Sequence, residues 1–386
     1  MTRSLRVFMI AGELSGDQLG AHLMEGLRQL RPDIEMSGVG GPQMTAAGLS
    51  SLFDMSELSV MGIVEVLPKL PHLLTRIREV ANHVIAMQPD ILITIDSPDF
   101  CLRVAKRVKA SLPQIPVAHY VAPSVWAWRP GRAEKMATHV DHVLALLPFE
   151  PAYMHAAGMT CDFVGHPVAN FPVIDRNAAA EFRVHHRIAA GQKLLCVLPG
   201  SRKSEVANHT ATFRAVLGQL ATRHPGLRTV IPVASSVSGV VTSGFEDAPT
   251  QPILLRPNLE EKLTAYAASD AALAVSGTVS LELASQATPM VIAYTASAVS
   301  QWIIRRKFLL DTATLVNLVS ETRTVPEFIF ENFKSDLIAD NLSSFLDDPK
   351  TFAAQLDASG LTMTKLGRGG AEPGLRAAHS ILDRFA

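Results

Sequence analysis

Short apolar runs alternate along the chain with longer segments in which apolar residues recur every three or four positions. "LRVFMIA" (5–11) reads as a buried strand, followed by a turn and a helix from about Asp17 to Leu30. "DILITID" (90–96) predicts a second strand, and "FCLRVAKRVKA" the helix after it. "IPVAHYV" and "DHVLALL" predict two more. These strands are apolar throughout rather than alternating, which is the pattern of a parallel sheet covered on both faces. A Pro-, Gly- and Asn-rich stretch at 162–177, "DFVGHPVANFPVIDRN", closes the first series. The pattern then restarts with a helix, strand "KLLCVLP", a helix, "LRTVIPVA", "AALAV", a helix and "PMVIAY". From about Asn332 the chain reads as helical, and its amphipathic end, "GLRAAHSILDRFA", needs a surface to dock on. The expectation is an α/β protein with two doubly wound, Rossmann-like domains, 1–170 and 171–330, facing across a cleft. A helical segment, 331–386, follows, expected to pack on the first domain or to be exchanged in a dimer. Ligands in such sheets sit beyond the carboxyl ends of the strands.

Length supports the division, since 386 residues are too many for one comfortable core. Hydrophobic residues make up 48% and charged residues 18%, yet no uncharged apolar run approaches the ~18 residues of a membrane span. The start, "MTRSLRVFMIAGELSGD", superficially resembles a signal peptide. Its apolar part flows straight into a Gly-containing turn, so it reads as a first strand and the expected compartment is the cytoplasm. A net charge of −1 gives no global attraction to nucleic acid, so any pull on phosphate or membrane must be local. Cys101, Cys161 and Cys196 are widely spaced and read as buried free thiols.

Candidate chemistry gathers at the strand ends. "LCVLPGSRKSEVA" takes a buried strand into a small basic turn at the mouth of a helix. Helix N-termini carry unpaired N–H groups and partial positive charge. Gly200 lets an anion approach, Ser201 donates, and Arg202 adds a fork suited to a diphosphate. The spacing is neither a P-loop nor G-x-G-x-x-G, and an ordinary strand–helix turn with a solvated Arg has the same residues. "VSGTVSLELA" repeats the device with Ser276, Gly277 and Thr278, and Glu282 lies one helical turn in, where it suits ribose hydroxyls or a helix-entry acid. In the first half, "AGELSGD" holds Glu13, Ser15 and Asp17, and "SGVGGPQM" offers glycines where backbone can approach a ligand. "IDSPDF" places Asp96 and Asp99 at a strand end, where each serves as a general base or as a turn former. "HYVAPSVWAWRPGRAEKM" sets Trp126 beside Arg129 and Arg132, suiting an amphipathic phosphate ligand or a packed aromatic pair beside a solvated helix. His119 and His166 lack a nearby paired acid and read as structural or hydrogen-bonding groups.

Taken in order, "AGExSGD", "GVGGPxM", "MGxxEVL", "IDxPDFxLRxAK", "HYVxPSVWAWRxxR", "FVGHP", "LPGSRxxE", "SGTxxLE" and "LVNL" resemble the lipid-A-disaccharide synthase family, inverting glycosyltransferases of the GT-B class. The likeness runs from about Ala11 to at least Phe328. It implies transfer of 2,3-diacylglucosamine from its UDP derivative to 2,3-diacylglucosamine 1-phosphate (lipid X), releasing UDP. It further implies no cofactor and no required metal, and a peripheral site on the inner face of the cytoplasmic membrane. A homodimer exchanging C-terminal segments is also implied. Carried over by motif, Arg202 becomes a diphosphate ligand, Glu282 a nucleoside or ribose ligand, and Asn317 of "TLVNLVS" a donor-site residue. Asp99 is the first choice for the base, Asp96 the second and Glu13 the third. No Asp-x-Asp cluster is placed to hold a divalent ion, and Asp347 and Asp348 read as a solvated helix end.

Lipid substrates require a membrane-facing surface. The segment 59–84 carries apolar Val64, Val66, Leu67, Leu70, Leu73 and Leu74 with basic Lys69, Arg76 and Arg78. Pro68 and Pro71 argue against one unbroken helix, and the same apolar face would also suit packing on a sheet. "IRRKF" (304–308) is a second possible surface contact. The rival readings are another GT-B enzyme such as a UDP-N-acetylglucosamine epimerase, a dinucleotide oxidoreductase, and a lipid-binding module. The oxidoreductase is disfavoured because no G-x-G-x-x-G follows the first strand.

Overall fold

A computed structural model describes residues 4–58 and 63–386, without the side chains of 63–69, 299 and 303. The chain divides into two compact units, one running to Pro167 and including Gly369–Ala386, the other Val168–Arg368.

The first unit contains β1 (Arg6–Ala11), α1 (Leu14–Leu30), β2 (Glu35–Val39), α2 (Pro42–Ala46), α3 (Ile63–Met87), β3 (Ile91–Ile95), α4 (Pro98–Ser111), β4 (Val117–Tyr120), α5 (Arg132–Ala137), β5 (His142–Ala145), α6 (Glu150–Ala156) and β6 (Thr160–Phe163). The strands form one parallel sheet in the order β2-β1-β3-β4-β5-β6. Along β1, Phe8 and Ile10 enter the core on one face, while Val7, Met9 and Ala11 enter the core on the other. A strand buried on both faces has no polar side, hence its unbroken apolar run. Each fully buried Phe or Ile contributes about 1.5–3 kcal/mol.

The second unit contains α7 (Arg176–His185), β7 (Leu194–Leu198), α8 (Lys203–Arg223), β8 (Arg228–Pro232), α9 (Ser238–Phe245), β9 (Pro252–Leu255), α10 (Leu259–Ala268), β10 (Ala271–Ala274), α11 (Val279–Ser285), β11 (Met290–Tyr294), α12 (Ala298–Lys307), α13 (Leu315–Ser320), β12 (Glu327–Ile329), α14 (Ser335–Asp347) and α15 (Ala353–Lys365). Its parallel sheet has the order β12-β11-β10-β7-β8-β9.

The C-terminal helices do not form one segment. Ile338, Leu342 and Phe345 of α14 join the core of the second unit. The last helix, α16 (Pro373–Phe385), packs Ala377, Ala378 and Ile381 into the first unit beside α1. Two glycines permit the approach: a Cβ on Gly26 would lie 2.7 Å from the Gly374 carbonyl oxygen, and one on Gly374 would lie 2.6 Å from that of His22. Ser380 fastens the helix further by donating to Asp162 at 2.7 Å and meeting His142 Nε2 at 2.8 Å.

Two local expectations are corrected. The first long helix begins at Leu14, a turn earlier than Asp17. The helix α3 runs unbroken through Pro68 and Pro71. Proline's fixed φ suits a helix, and at exposed Pro71 the carbonyl left without its N–H partner can turn to water. Val64, Val66, Leu67 and Lys69 lie outside the described side chains. The three cysteines are free and buried, as their spacing predicted.

Candidate active site

In the first unit the carboxyl ends of β1, β3 and β4 gather the acidic candidates. Asp96 and Ser97, directly after β3, both have positive φ, at 53° and 41°. Val121, directly after β4, has φ 82°. A left-handed β-branched residue is an outlier, and such positions cost about 1–3 kcal/mol each and collect at functional sites. Here they aim two consecutive turns. Ser97 donates to Glu13 at 3.3 Å, and Ser15 donates to Asp96 at 3.1 Å, joining the β1 and β3 turns. Asp17 takes no part in that surface. It is fully buried and accepts from the N–H groups of Gly41, Gln43 and Met44 at 2.8, 2.9 and 3.0 Å.

Asp99 lies in the first turn of α4, with its side chain 90% exposed. Arg132, at the start of α5, donates to it at 3.1 Å. Asp99 is therefore accessible and has a cation at its side, whereas Asp96 and Glu13 are half-buried and engaged by serines.

The aromatic pair divides unlike the expectation. Trp126 is 8% exposed, stacks edge-on against Phe149 and donates its Nε1–H to Glu150 at 3.1 Å. Glu150 also accepts from Leu146 and Leu147 N–H, and burial pushes its carboxyl up to about 7 against those three donors. Trp126 is thus a core residue rather than a contact surface. Its neighbour Trp128 is the exposed one, with the Arg129 guanidinium stacked 4.3 Å from its ring centre. The sequence expectation falls on Trp126, but in "WAW" it is Trp128 that faces out. His119 is fully buried, and burial, with the Arg132 charge behind it, pushes it down to about 3. With no exposed surface it cannot reach a substrate.

The glycines of "SGVGGPQM" serve packing first. A Cβ on Gly38 would lie 1.8 Å from the Met9 carbonyl oxygen, and one on Gly41 would lie 2.6 Å from Met55. A cavity of about 1050 Å³ opens beside this loop, and Asp54 is its one charged lining residue among those described. It has room for a ligand but little to perform proton transfer with.

In the second unit β7 runs into α8 as the pattern predicted. Gly200 has φ 128°, and a Cβ there would lie 2.7 Å from Glu205 Cβ. Arg202 is the helix N-cap, with its side chain 60% exposed. Glu205, to which the sequence alone assigns no role, binds both Arg202 and the Ser201 N–H. It accepts from Arg202 at 2.9 Å and from Ser201 N–H at 3.2 Å.

At the β10–α11 turn, Gly277 has φ 142° and open space where a Cβ would be. Ser276 donates to the Ala313 carbonyl at 2.8 Å, and Thr278 is exposed. Glu282 is engaged through Oε2 by Lys262 at 2.9 Å and Tyr266 at 3.1 Å. Its Oε1 accepts from no described residue. Asn317 is 1% exposed, and both ends of its amide go to the Val325 backbone at 3.0 Å. It clamps the α13–β12 loop and has no free handle. Among the described residues no group of three or more His, Cys, Asp or Glu side chains is placed to hold a metal ion.

This arrangement of twin parallel sheets recurs in known proteins. A structure of S. aureus MnaA with UDP superposes with a TM-score of 0.65 at 12% identity, covering 98% of this chain and 95% of that one. That likeness shows the fold, which is of the GT-B class. Sequence relatives carry more. A lipid-A-disaccharide synthase of Ruegeria pomeroyi is 54% identical, covering 99% of this chain and 96% of the relative. One from Rhodospirillum centenum is 43% identical, covering 99% and 95%. The family model described as lipid-A-disaccharide synthetase matches residues 7–370, and the chain belongs to that family.

Proposed function

We propose that this chain condenses UDP-2,3-diacylglucosamine with 2,3-diacylglucosamine 1-phosphate, giving a β-1,6-linked disaccharide 1-phosphate and UDP. The observation that carries the assignment of roles is Asp99, exposed beside Arg132 next to two left-handed residues at the end of β3. Asp99 takes the proton of the acceptor 6-hydroxyl as that oxygen attacks C1 of the donor sugar. The bond from C1 to the diphosphate oxygen breaks, the electron pair leaves with UDP, and the anomeric configuration inverts. Arg132 holds the carboxylate of Asp99 in place, and Asp96 and Glu13 shape the turn around it.

The second unit serves the donor. Arg202 and the N–H groups at the start of α8 meet the diphosphate, which takes over the contacts now made by Glu205. Ser201, Ser276, Gly277 and Thr278 line its approach, and Glu282 meets the nucleoside through Oε1. Asn317 acts as a positioning residue for its loop.

Substrates with acyl chains bring the enzyme to a membrane surface, its inner cytoplasmic face in this reading. Among the described residues no helix is long and apolar enough to cross a membrane. Leu70 and Leu74, one turn apart on α3, are 37% and 40% exposed and suit insertion at an interface. Arg76 is less free than its sequence suggested, because it pairs with Glu57 and Glu79 and covers Phe53. Trp302 of α12, 56% exposed under Arg306, is a second contact, and a homodimer is compatible with this reading. The test is UDP release by purified protein in detergent micelles. Release that requires both lipids, with disaccharide 1-phosphate formed in equal amount, is expected. Release without the acceptor would overturn the reading in favour of a hydrolase or epimerase.

A further inference from the structure

The face of α4 that carries Asp99 continues into a cationic cavity. Asp99, Arg103 and Lys106 recur at spacings of four and three on α4, so they share one side of the helix. Arg132, Lys135 and His139 approach from α5 and the turn after it, and together these residues line a cavity of about 210 Å³. Four cations face one carboxylate there. Arg132 is paired with Asp99, while Arg103, Lys106 and Lys135 make no ion pair among the described residues. Unpaired like charges on facing helices repel, and an anion entering between them would relieve that repulsion.

A second, independent observation points the same way. His139 is 9% exposed, and its Nε2 has no hydrogen-bond partner. Thr138 gives its hydroxyl hydrogen to the Lys135 carbonyl, so Nδ1–H of His139 faces the Thr138 oxygen at 3.0 Å. Nε2 is then left as a buried, unpaired acceptor on a residue that lines the cavity.

We infer that this cavity binds the phosphate monoester of the acceptor sugar. A phosphate offers several oxygens to converging cations and carries its own exchangeable proton, and Arg132 can present a fork to it. Leu102 and Met136 supply an apolar wall for the attached sugar. The cavity is too small for an extended polyanion. Anchoring the acceptor by its phosphate next to Asp99 gives the base a fixed substrate to work on. This inference rests on the acceptor assigned above.

The test uses the full-length enzyme with Arg103→Gln, Lys106→Gln and Lys135→Gln, singly and combined, each checked by thermal unfolding. The acceptor KM of the triple variant should rise about tenfold or more, while the donor KM stays within about twofold. An unchanged acceptor KM overturns the inference. Protection of Lys106 and Lys135 from acetylation by glucosamine 1-phosphate, read by mass spectrometry, gives an answer independent of turnover. Protection supports the site, and its absence at saturating ligand refutes it. Inorganic phosphate alone protecting equally well would remove the sugar from the assignment. Sedimentation with phosphatidylglycerol vesicles separates the remaining source: lost vesicle binding with an unmoved acceptor KM would mean that the cations meet bilayer headgroups, and the inference falls. If the wild-type protein turns over neither lipid, the reaction assigned above fails, while the protection result still decides whether a sugar phosphate binds here.

Discussion

At the scale of single residues, position was legible wherever it depended only on neighbours in sequence. Gly200 and Arg202 lie at a strand end and a helix mouth, as "LPGSRKSE" predicted, because the apolar run and the turn residues fix both boundaries locally. Partners distant in sequence were not legible. Trp126 looked available beside Arg129, but its indole N–H is spent on Glu150, 24 residues on. Replacing Trp126 with Phe should therefore cost about 1–3 kcal/mol of stability, since a buried carboxylate loses a donor. Urea unfolding checks the loss, and the acceptor KM should hardly move. A large KM change at unaltered stability would return Trp126 to the substrate site. Asn317 teaches the same point: its amide suits a polar ligand by type, yet Val325 takes both of its ends.

At the scale of elements, the apolar pattern found the four central strands of each sheet and missed the edges. The overlooked strands are β2, β6, β9 and β12, which are the outer members of the two sheets. An edge strand is covered on fewer sides, so it lacks the unbroken apolar run by which buried strands are read. "EFI" of β12 has no fully buried residue, and "TCDF" of β6 has one. The stretch from 162 looked like a linker because such an edge strand runs into it. The closing helix reads as amphipathic, with the first domain or a second copy as its possible partner, but the surface it packs on does not show in the sequence. The contact with α1 depends on glycines about 350 positions apart in sequence, Gly26 and Gly374, that only the fold brings together. Gly374→Ala should separate α16 from α1, because the added Cβ meets the His22 carbonyl at 2.6 Å. Limited proteolysis should then release the C-terminal helix early, with a loss of about 1–3 kcal/mol in the first unit. Unchanged protease resistance would show that the helices adjust around the methyl group.

At the scale of the whole molecule, the chain folds as two units with separate cores, to which the proposed reaction assigns different halves of the chemistry, and a chain of net charge −1 concentrates its cations locally. In the proposed reading, attachment to a membrane would depend on exposed apolar residues rather than on overall charge. Leu70→Ser with Leu74→Ser should lower binding to anionic vesicles while leaving the melting temperature within about 2 °C. Leu73 must be kept out of that variant, since it packs against the core of the first unit and its replacement would destabilise the fold. Equal vesicle binding by the double variant would remove α3 from the membrane surface. The most direct measurement of the account is made on Asp99→Ala: single-turnover rate with both lipids, alongside the Kd for UDP. If Asp99 is the base in the first unit and Arg202 the diphosphate ligand in the second, the rate falls by about 10²–10⁴ while UDP binds as in the wild type. Near-normal turnover, or a comparable loss of UDP affinity, would contradict that division of labour.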